Sequence, residues 1–485
     1  MTPPRPSFLS PAFIQRHEQA IVIFVLVLFF GFNLVTAPFS PDPWLDEVSY
    51  SEPAANLAAH GTLSSDAWED RGHPIWTGNV PLHQLLLAGF IKAFGFSACT
   101  VRGVNMLYYS ITVFLIYQIV RRHELIRKTR FRLLLVAVLL AGTGLVALYR
   151  NGRYDAIGAL LVVFWAWCSL QSRKRPVLHI GSFLSAMLMP VASLNIAPLL
   201  VLCALLALCL WRWKALSGLV VAGSGGLVGM GLMQVAYSHF GIPHIFHAVM
   251  GSAGGRDLTS DFIQSVFKNP SYIAGIAGGC LLVFSLKGTD SSEDLYRKRI
   301  ATALLALAVI LPWFMALVAK YHIYYTWMAI IPASICACMV IEFQSVPGCL
   351  RKSAIVLILL AALPGLPRRC GRIAGSWVQH RPSAIAGFAL KEVSRSDVVY
   401  VDVQCASVYY ALHSWVARSF WLAPPPRTDD KALITVAFMP EPGREKEVHD
   451  LFGGEWRQTD FQEFGHEKLQ LLSEPPVRIA VYRRN

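Results

Sequence analysis

Apolar segments of nearly membrane-spanning length recur along most of this 485-residue chain. A helix needs about 20 mostly apolar residues to cross the hydrocarbon core of a bilayer, where only helices and closed barrels satisfy their backbone hydrogen bonds. We place helical spans at residues 20–37, 101–120, 133–148, 157–170, 177–191, 196–211, 216–237, 272–286, 300–318, 327–341 and 354–366. The pattern predicts an α-helical polytopic membrane protein with about eleven transmembrane helices.

Composition supports the same class. Hydrophobic residues make up 54% of the chain and charged residues only 15%, whereas a soluble protein carries about 25% charged residues. The net charge of +13 does not indicate a nucleic acid partner, because much of the Lys and Arg lies in short loops between the spans. Such loops set the orientation of a membrane protein, so the predicted partner is the lipid bilayer.

The basic loops fix the predicted orientation. With a cytoplasmic N-terminus, the cytoplasmic loops become 121–132, 173–175, 212–214, 287–299 and 351–352, and each is basic. The apolar segment 82–96 would reverse this arrangement if it were a span. It is short and carries Gln84 and Lys92, so we predict an interfacial helix there. The first outer loop then runs from about 38 to 100, and loops of this length are often functional.

Beyond residue 367 the composition changes. Short runs rich in β-branched and aromatic residues occur at 398–402, 432–437 and 477–482, with a helix-compatible stretch at 444–452 between them. We therefore predict a transmembrane domain at 1–367 and an α/β domain at 368–485 on the extracytoplasmic side.

Asp46 and Glu47 stand side by side soon after the first span, in the sequence Trp44-Leu-Asp-Glu-Val-Ser-Tyr50. Ionised carboxylates are costly to desolvate, and near a bilayer they pair, line a wet cavity or carry out chemistry. Function is the favoured interpretation of this pair.

Three further polar clusters fall on the same side of the membrane, at 150–155, 239–270 and 320–325. Cations beside carboxylates suit a reaction that holds a phosphate and deprotonates a nucleophile. The alternative for Arg153 and Lys320 is that they only extend toward the interface, as cations at helix ends do. The histidines are interpreted as surface residues and the cysteines as small core residues, so the sequence identifies no metal ligands.

These motifs resemble those of lipid-linked sugar transferases with the GT-C fold. The segment from Trp44 to Gly61 resembles the Asp-Glu-x-x-Tyr opening of the 4-amino-4-deoxyarabinose lipid A transferases and the protein O-mannosyltransferases. Gly152-Arg-Tyr-Asp155 is similar to the Arg-Pro-Asp element of these enzymes, with Tyr154 in place of proline. Residues 319–325 resemble their Lys-x-x-x-Tyr element, whereas 189–195 lacks a lysine that many relatives carry.

The resemblance implies a membrane glycosyltransferase that moves a sugar from a polyprenyl phosphate donor, with inversion, in a bacterial inner membrane. The active site and the C-terminal domain would face the periplasm. It implies that Asp46 is the catalytic base and that Glu47 supports acceptor or donor placement. Candidate donor phosphate ligands are Arg153, Lys320, Arg71 and Arg256, and candidate substrate-binding residues are Tyr50, Asp155, Tyr324 and Tyr325.

Two other interpretations stay open. A transporter or flippase of a lipid-linked sugar would need charges near mid-membrane and an inverted repeat, neither of which is visible in the sequence. A non-catalytic relative is disfavoured by the intact Asp46 and Glu47. The sequence leaves open the sugar, the acceptor (a lipid, a glycan or a protein) and a requirement for a divalent metal; it identifies no other cofactor.

Overall fold

The computed structural model describes residues 11–65, 81–172, 175–236, 292–317, 325–343, 346–362, 365–379, 381–413, 418–421, 428–465 and 476–485. The span predicted at 272–286 lies outside these ranges. The first half of the described chain is helical: α1 (Pro11–Thr36), α2 (Leu45–His60), α3 (Pro81–Phe94), α4 (Ala98–Arg122), α5 (Thr129–Ala141), α6 (Val146–Tyr149), α7 (Asp155–Gln171), α8 (Leu178–Ala192), α9 (Ala197–Trp211) and α10 (Leu216–Ala236).

Further helices follow in the second half. They are α11 (Ser292–Leu317), α12 (Trp327–Val340), α13 (Gly348–Ala362), α14 (Gly365–Val378), α15 (Arg381–Glu392), α16 (Ala406–Leu412), α17 (Thr428–Leu433) and α18 (Glu445–Phe452). The span predicted at 354–366 overlaps α13 and the start of α14, and residues 363–364 between these helices lie outside the described ranges.

Several helices have the length and composition of membrane spans. Within the described ranges, the stretches that could cross a bilayer unaided are Phe13–Phe39, Ala98–Arg122, Leu216–Ala236 and Gly348–Val378. Shorter apolar helices accompany them at Asp155–Gln171, Leu178–Ala192, Ala197–Trp211 and Trp327–Val340. Large apolar side chains such as Phe24, Val27, Leu227 and Val235 are exposed on α1 and α10. A lipid environment accommodates such surfaces, and the chain is therefore a helical membrane protein.

The span predicted at 133–148 is broken. Helix α5 ends at Ala141, a short 3-10 turn covers Thr143–Leu145, and α6 follows at Val146. The helical stretches Thr129–Ala141 and Thr143–Tyr149 are bent by 59° relative to each other. The break falls at Gly142-Thr-Gly144, where glycine is a poor helix former.

The first outer segment is largely helical. Helix α3 matches the helix predicted at 82–96, whereas α2 occupies a stretch that the sequence predicted as loop. The buried residues of α2 include Glu47, Ser49, Ser51 and Glu52. Because polar side chains lie on its buried side, α2 lacks the apolar stripe that normally identifies a surface helix.

The C-terminal residues form a five-stranded mixed sheet in the order β2-β1-β3-β5-β4. The strands are β1 (Val398–Val401), β2 (Arg418–Trp421), β3 (Val436–Met439), β4 (Trp456–Phe464) and β5 (Val477–Arg484). Strand β1 pairs in parallel with β2 and β3, and β5 pairs antiparallel with β3 and β4. The strand predicted at 432–437 begins only at Val436, because Thr428–Leu433 is the helix α17.

Each face of the sheet is covered by helices. Val399 and Val401 of β1 pack with Phe388 of α15 and Tyr409 of α16 in one core. Tyr400 lies on the opposite face with Phe452 of α18. Side chains alternate between the faces of a strand, so β1 is buried on both sides.

The chain divides into two compact units. One contains Met1–Phe32, Met106–Tyr149 and Asp155–Leu366, and the other contains Asn33–Asn105, Arg150–Tyr154 and Pro367–Asn485. The last part of the second unit begins at residue 367. This unit also includes the first outer segment, because Val48 of α2 is buried in the core formed by α15, α16 and the sheet.

Candidate active site

The acidic pair lies in the first turn of α2. Trp44 precedes the helix in an extended conformation, and Asp46 and Glu47 follow at the N-terminus. Carboxylates are stabilised there by the helix dipole and the unpaired backbone N–H groups. Successive side chains on a helix are about 100° apart, so the two carboxylates enter different surroundings.

Glu47 is fully buried against an arginine. Arg102 of α4 donates from Nε to both Glu47 oxygens at 3.0 Å and from Nη2 to Oε2 at 2.9 Å. Both side chains have 0% exposure. Arg102 Nη1 also donates to the carbonyls of Ala37 at 2.5 Å and Pro41 at 2.8 Å. A buried ion pair is tolerated only with such additional hydrogen bonds, so this arginine locks Glu47 in place.

A tyrosine from the C-terminal segment completes the surroundings of Glu47. The hydroxyl of Tyr410, on α16, donates to Glu47 Oε1 at 2.9 Å. Burial raises the pKa of the Tyr410 phenol well above its usual range, and the Glu47 charge raises it further. The phenol therefore stays protonated and acts as a donor.

Asp46 contacts a different arginine. Arg153 donates from Nη1 to Asp46 Oδ2 in an ion pair. The Asp46 side chain is 27% exposed and the Arg153 side chain only 4%. Asp46 therefore reaches solvent while its partner is held inside the protein.

Two aromatic rings flank the Arg153 guanidinium. Its central carbon lies 5.2 Å from the centre of the Tyr50 ring and 5.4 Å from that of Tyr154. The two rings meet edge to face, with centres 4.8 Å apart and planes at 76°. Cation–π attraction and this packing hold the arginine in one orientation.

The turn that carries Arg153 is held by side-chain hydrogen bonds. Asn105 Nδ2 donates to the carbonyls of Asn151 at 2.6 Å and Arg153 at 2.5 Å, and the Arg153 backbone N–H donates to Asn151 Oδ1 at 2.9 Å. Burial lowers the pKa of His83 to about 4, so its ring is neutral and donates from Nε2 to the Gly152 carbonyl, 3.1 Å away.

Gly152 allows this turn to pack directly on α2. A Cβ atom at this position would lie 2.4 Å from Val101 Cγ1 and 2.7 Å from Glu47 Cγ. Real Cβ atoms do not approach so closely, so only glycine fits without a shift of the backbone. The turn with Arg153 and the helix with Asp46 are therefore in direct contact at Glu47.

Arg150 is buried at the start of the same turn. It donates to the Ser40 carbonyl from Nε at 2.8 Å and from Nη2 at 2.5 Å, and to Asn33 Oδ1 at 2.7 Å. Arg381 similarly donates to Asp42 Oδ2 at 2.8 Å. Arg150 therefore anchors the turn that carries Arg153 to residues 33–40, which precede α2.

The structure brings together part of the predicted site. Asp46, Glu47, Tyr50 and Arg153 lie in one cluster of the second unit. The other described candidates belong to the first unit: Asp155 begins α7 as a buried residue, and Tyr325 accepts from Asn195 Nδ2 at 2.8 Å. Predicted candidates outside the described residues are Arg71, Arg256, Lys320 and Tyr324.

Four residues of the cluster were not candidates from the sequence: Arg102, Tyr410, Asn105 and His83. Arg102 gave one usable signal, because it is a cation at the outer end of a predicted span and would need a partner there. No three His, Cys, Asp or Glu side chains of the described residues are grouped as a metal site.

Comparison with known proteins gives matches in structure but not in sequence. No protein-family model and no curated protein sequence matches the chain. The crystal structure of ArnT from Cupriavidus metallidurans bound to undecaprenyl phosphate matches with a TM-score of 0.60 and 11% identity, over 96% of this chain and 97% of that one. This likeness shows the fold, and it confirms the GT-C fold that the sequence resemblance implied.

Two other structures match less well. ArnT from the same organism in the apo state matches with a TM-score of 0.47 and 11% identity, over 96% of this chain and 98% of that one. The cryo-EM structure of the arabinofuranosyltransferase AftD from Mycobacteria matches with a TM-score of 0.47 and 12% identity, over 97% of this chain and 40% of that one. At these TM-scores neither match adds support to the fold or to the function.

Proposed function

We propose that this chain is an integral membrane glycosyltransferase that moves a sugar from a polyprenyl phosphate donor to an acceptor hydroxyl or amine. The observation that carries the proposal is the ion pair between the partly exposed Asp46 and the buried Arg153. In this pair a carboxylate lies beside an arginine, a side chain whose planar guanidinium suits phosphate oxygens, in a chain with the fold of ArnT.

The donor class follows from two lines of support. The ArnT structure with the same fold binds undecaprenyl phosphate. In this chain, Arg153 offers a planar guanidinium that suits phosphate oxygens, and its two tyrosine neighbours hold it in place. We assign the donor phosphate to Arg153, with Lys320, Arg71 and Arg256 as further candidates.

The proposed reaction is a single displacement. The acceptor attacks the anomeric carbon, the bond from that carbon to the phosphate oxygen breaks, and its electron pair leaves with polyprenyl phosphate. Asp46 takes the acceptor proton as general base. The leaving phosphate needs no proton, but its charge needs stabilisation, which Arg153 provides. One displacement inverts the configuration of the sugar.

Substrate contacts complete the proposal. Tyr50 lies next to the pair and is assigned to the sugar, with Asp155, Tyr324 and Tyr325 as further candidates. We assign Glu47 the role of placing its neighbour Asp46, because its own carboxylate is buried and bonded to Arg102 and Tyr410.

The membrane arrangement belongs to the same proposal. About eleven spans and a cytoplasmic N-terminus would put the acidic pair and the C-terminal α/β residues on the outer side of a bacterial inner membrane. Single cysteines at the exposed positions 60 and 450 should then react with an impermeant maleimide in intact cells, while one at position 127 should not. Protection of position 60 together with labelling of position 127 would reverse the orientation.

A transfer assay tests the function. The purified chain in lipid nanodiscs is given radiolabelled undecaprenyl phosphate sugars and a membrane extract as acceptor. Asp46→Asn should lower transfer by about a hundred- to ten-thousandfold. The matched control is Asp42→Asn, because Asp42 is 26% exposed and pairs with Arg381, which is 3% exposed; it should retain activity within a few-fold.

The same assay separates a transferase from the two alternatives, neither of which would transfer the sugar. A flippase would move the lipid-linked sugar across the bilayer without cleaving it, and a non-catalytic relative would do neither. Full transfer by Asp46→Asn would contradict the assignment of the base.

A further inference from the structure

Tyr410 connects the C-terminal sheet to the acidic helix. It lies on α16, and its hydroxyl donates to Glu47 Oε1 at 2.9 Å and is 3.5 Å from Ser51 Oγ. Glu47 and Ser51 are one helical turn apart on α2. The phenol therefore contacts two successive turns at the N-terminal end of that helix.

Apolar packing holds Tyr410 in this position. Its ring stacks on Phe96, with centres 5.0 Å apart and planes at 25°. Val48, next to Glu47, is buried in the core that α15 and α16 form with the sheet. The hydroxyl is thus presented to α2 by a packed surface, because the ring and the neighbouring helix share one core.

Glu47 is the point at which several segments meet. Its carboxylate binds Arg102 of α4 and Tyr410 of α16, and its Cγ faces Gly152 in the turn that carries Arg153. Asp46 precedes it directly in the chain. A shift of Glu47 would therefore move Asp46 relative to Arg153.

We infer that Tyr410 is a positioning residue for the transfer reaction, acting through Glu47 to hold Asp46 at a fixed place beside Arg153. This inference rests on the proposed function. The C-terminal α/β residues would then contribute to the active site through Tyr410, which does not itself contact the reacting atoms in the proposed mechanism.

The effect of Tyr410 on the rate follows from geometry. Proton transfer to a base requires close and directed contact, and a displacement of about 1 Å can lower a rate by about a hundredfold. When the phenol hydroxyl is removed, Glu47 Oε1 keeps its hydrogen bond from Arg102 Nε but loses the one from Tyr410. The first turn of α2 then has fewer restraints, although the ring and its packing on Phe96 remain.

The test compares two tyrosine hydroxyls in the same unit. Tyr410→Phe removes the contact to Glu47. Tyr482→Phe is the matched control, because Tyr482 is a buried tyrosine whose hydroxyl is also hydrogen-bonded. That hydroxyl accepts from the Arg444 backbone N–H at 2.9 Å and donates to the Glu441 carbonyl at 3.0 Å. Both variants lose a comparable tyrosine contact, but only the first touches α2.

We expect Tyr410→Phe to lower kcat about ten- to hundredfold while the Kd for undecaprenyl phosphate stays within twofold of wild type. Amide hydrogen exchange at residues 44–52 should become faster in Tyr410→Phe and stay unchanged in Tyr482→Phe. Tyr482→Phe should keep the wild-type kcat. A purely structural role would lower the thermal stability of both variants and leave kcat per folded molecule equal.

Equal kcat in the two variants, or unchanged exchange at 44–52 in Tyr410→Phe, would overturn the inference. Amide hydrogen exchange at residues 44–52 does not depend on transfer activity, so it tests the hold of Tyr410 on α2 even if the wild-type chain transfers none of the sugars supplied. Failure of the proposed function and failure of the positioning role are therefore distinguishable.

Discussion

The guanidinium of Arg153 donates to the carboxylate of Asp46. In the proposed mechanism these groups have different substrates, since Arg153 binds the donor phosphate and Asp46 receives the acceptor proton. The ion pair therefore places the base where the phosphate charge would otherwise lie. A donor that binds Arg153 must compete with Asp46 and also meets the repulsion of a second negative charge.

Asp46→Asn should for this reason bind undecaprenyl phosphate about five- to tenfold more tightly than wild type, although it transfers sugar far more slowly. An amide keeps the shape of the carboxylate and still offers an oxygen to Arg153, so its loss of charge removes only part of the roughly 1.5–3 kcal/mol that a charge-assisted hydrogen bond contributes. The measurement is the Kd of labelled undecaprenyl phosphate in nanodiscs.

The control for this measurement is Asp42→Asn, which removes an equally exposed carboxylate from the Arg381 pair and should leave the Kd unchanged. Unchanged or weaker binding by Asp46→Asn would mean that the phosphate does not bind at Arg153.

Substitution of Arg153 should have the opposite effect. Arg153→Gln should weaken binding of undecaprenyl phosphate about ten- to a hundredfold, because it removes the cation. Arg153→Lys should recover only part of the loss, since an ammonium lacks the planar fork that can bind two phosphate oxygens. Donor-concentration kinetics and direct Kd values measure both effects. If wild type and both variants bind undecaprenyl phosphate with equal affinity, the donor phosphate is assigned instead to Lys320, Arg71 or Arg256.

The sequence predicted the parts of the fold that have local patterns. Most of the described apolar helices follow from continuous apolar runs, and Asp46, Glu47 and Arg153 follow from charges at the ends of predicted spans together with a family resemblance. Helix α2 could not be predicted, because Glu47, Ser49 and Ser51 are buried on it and obscure the usual apolar stripe. The strand β4 was missed because it is an edge strand whose side chains are mostly exposed.

The missing members of the cluster have a different cause. Tyr410 contacts Glu47 across 363 positions of sequence. No local spacing connects the two, since the contact arises only when α16 packs on the first outer segment. The break after α5 had a visible signal in Gly142-Thr-Gly144, but the apolar run continues through it and predicts a single span.

Glu47→Gln should destabilise the fold as well as reduce transfer. It leaves the buried Arg102 guanidinium without its counter-charge, and breaking a buried pair in this way costs about 3–5 kcal/mol. The double variant Glu47→Gln with Arg102→Met should regain much of the thermal stability, because no charge is then buried alone. It should still transfer poorly, since the contacts that fix the first turn of α2 are gone.

Thermal unfolding followed by tryptophan fluorescence measures the first effect, and transfer per folded molecule measures the second. If Glu47→Gln unfolds at the wild-type temperature, the ion pair does not contribute to stability. If the double variant transfers at the wild-type rate, Glu47 does not position Asp46.

Gly152→Ala tests the contact between the Arg153 turn and α2. Its Cβ would lie 2.4 Å from Val101 Cγ1 and 2.7 Å from Glu47 Cγ, so either the turn or the helix must shift. The shift should separate Arg153 from Asp46 and lower transfer about tenfold or more. The control is Gly89→Ala in the helix α3, where a Cβ meets no atom within 4 Å. That variant should keep full activity and gain up to about 1 kcal/mol of stability, because alanine is the better helix former. Wild-type transfer by Gly152→Ala would show that the reaction tolerates movement of this turn and that Arg153 need not be held at its observed place beside Asp46.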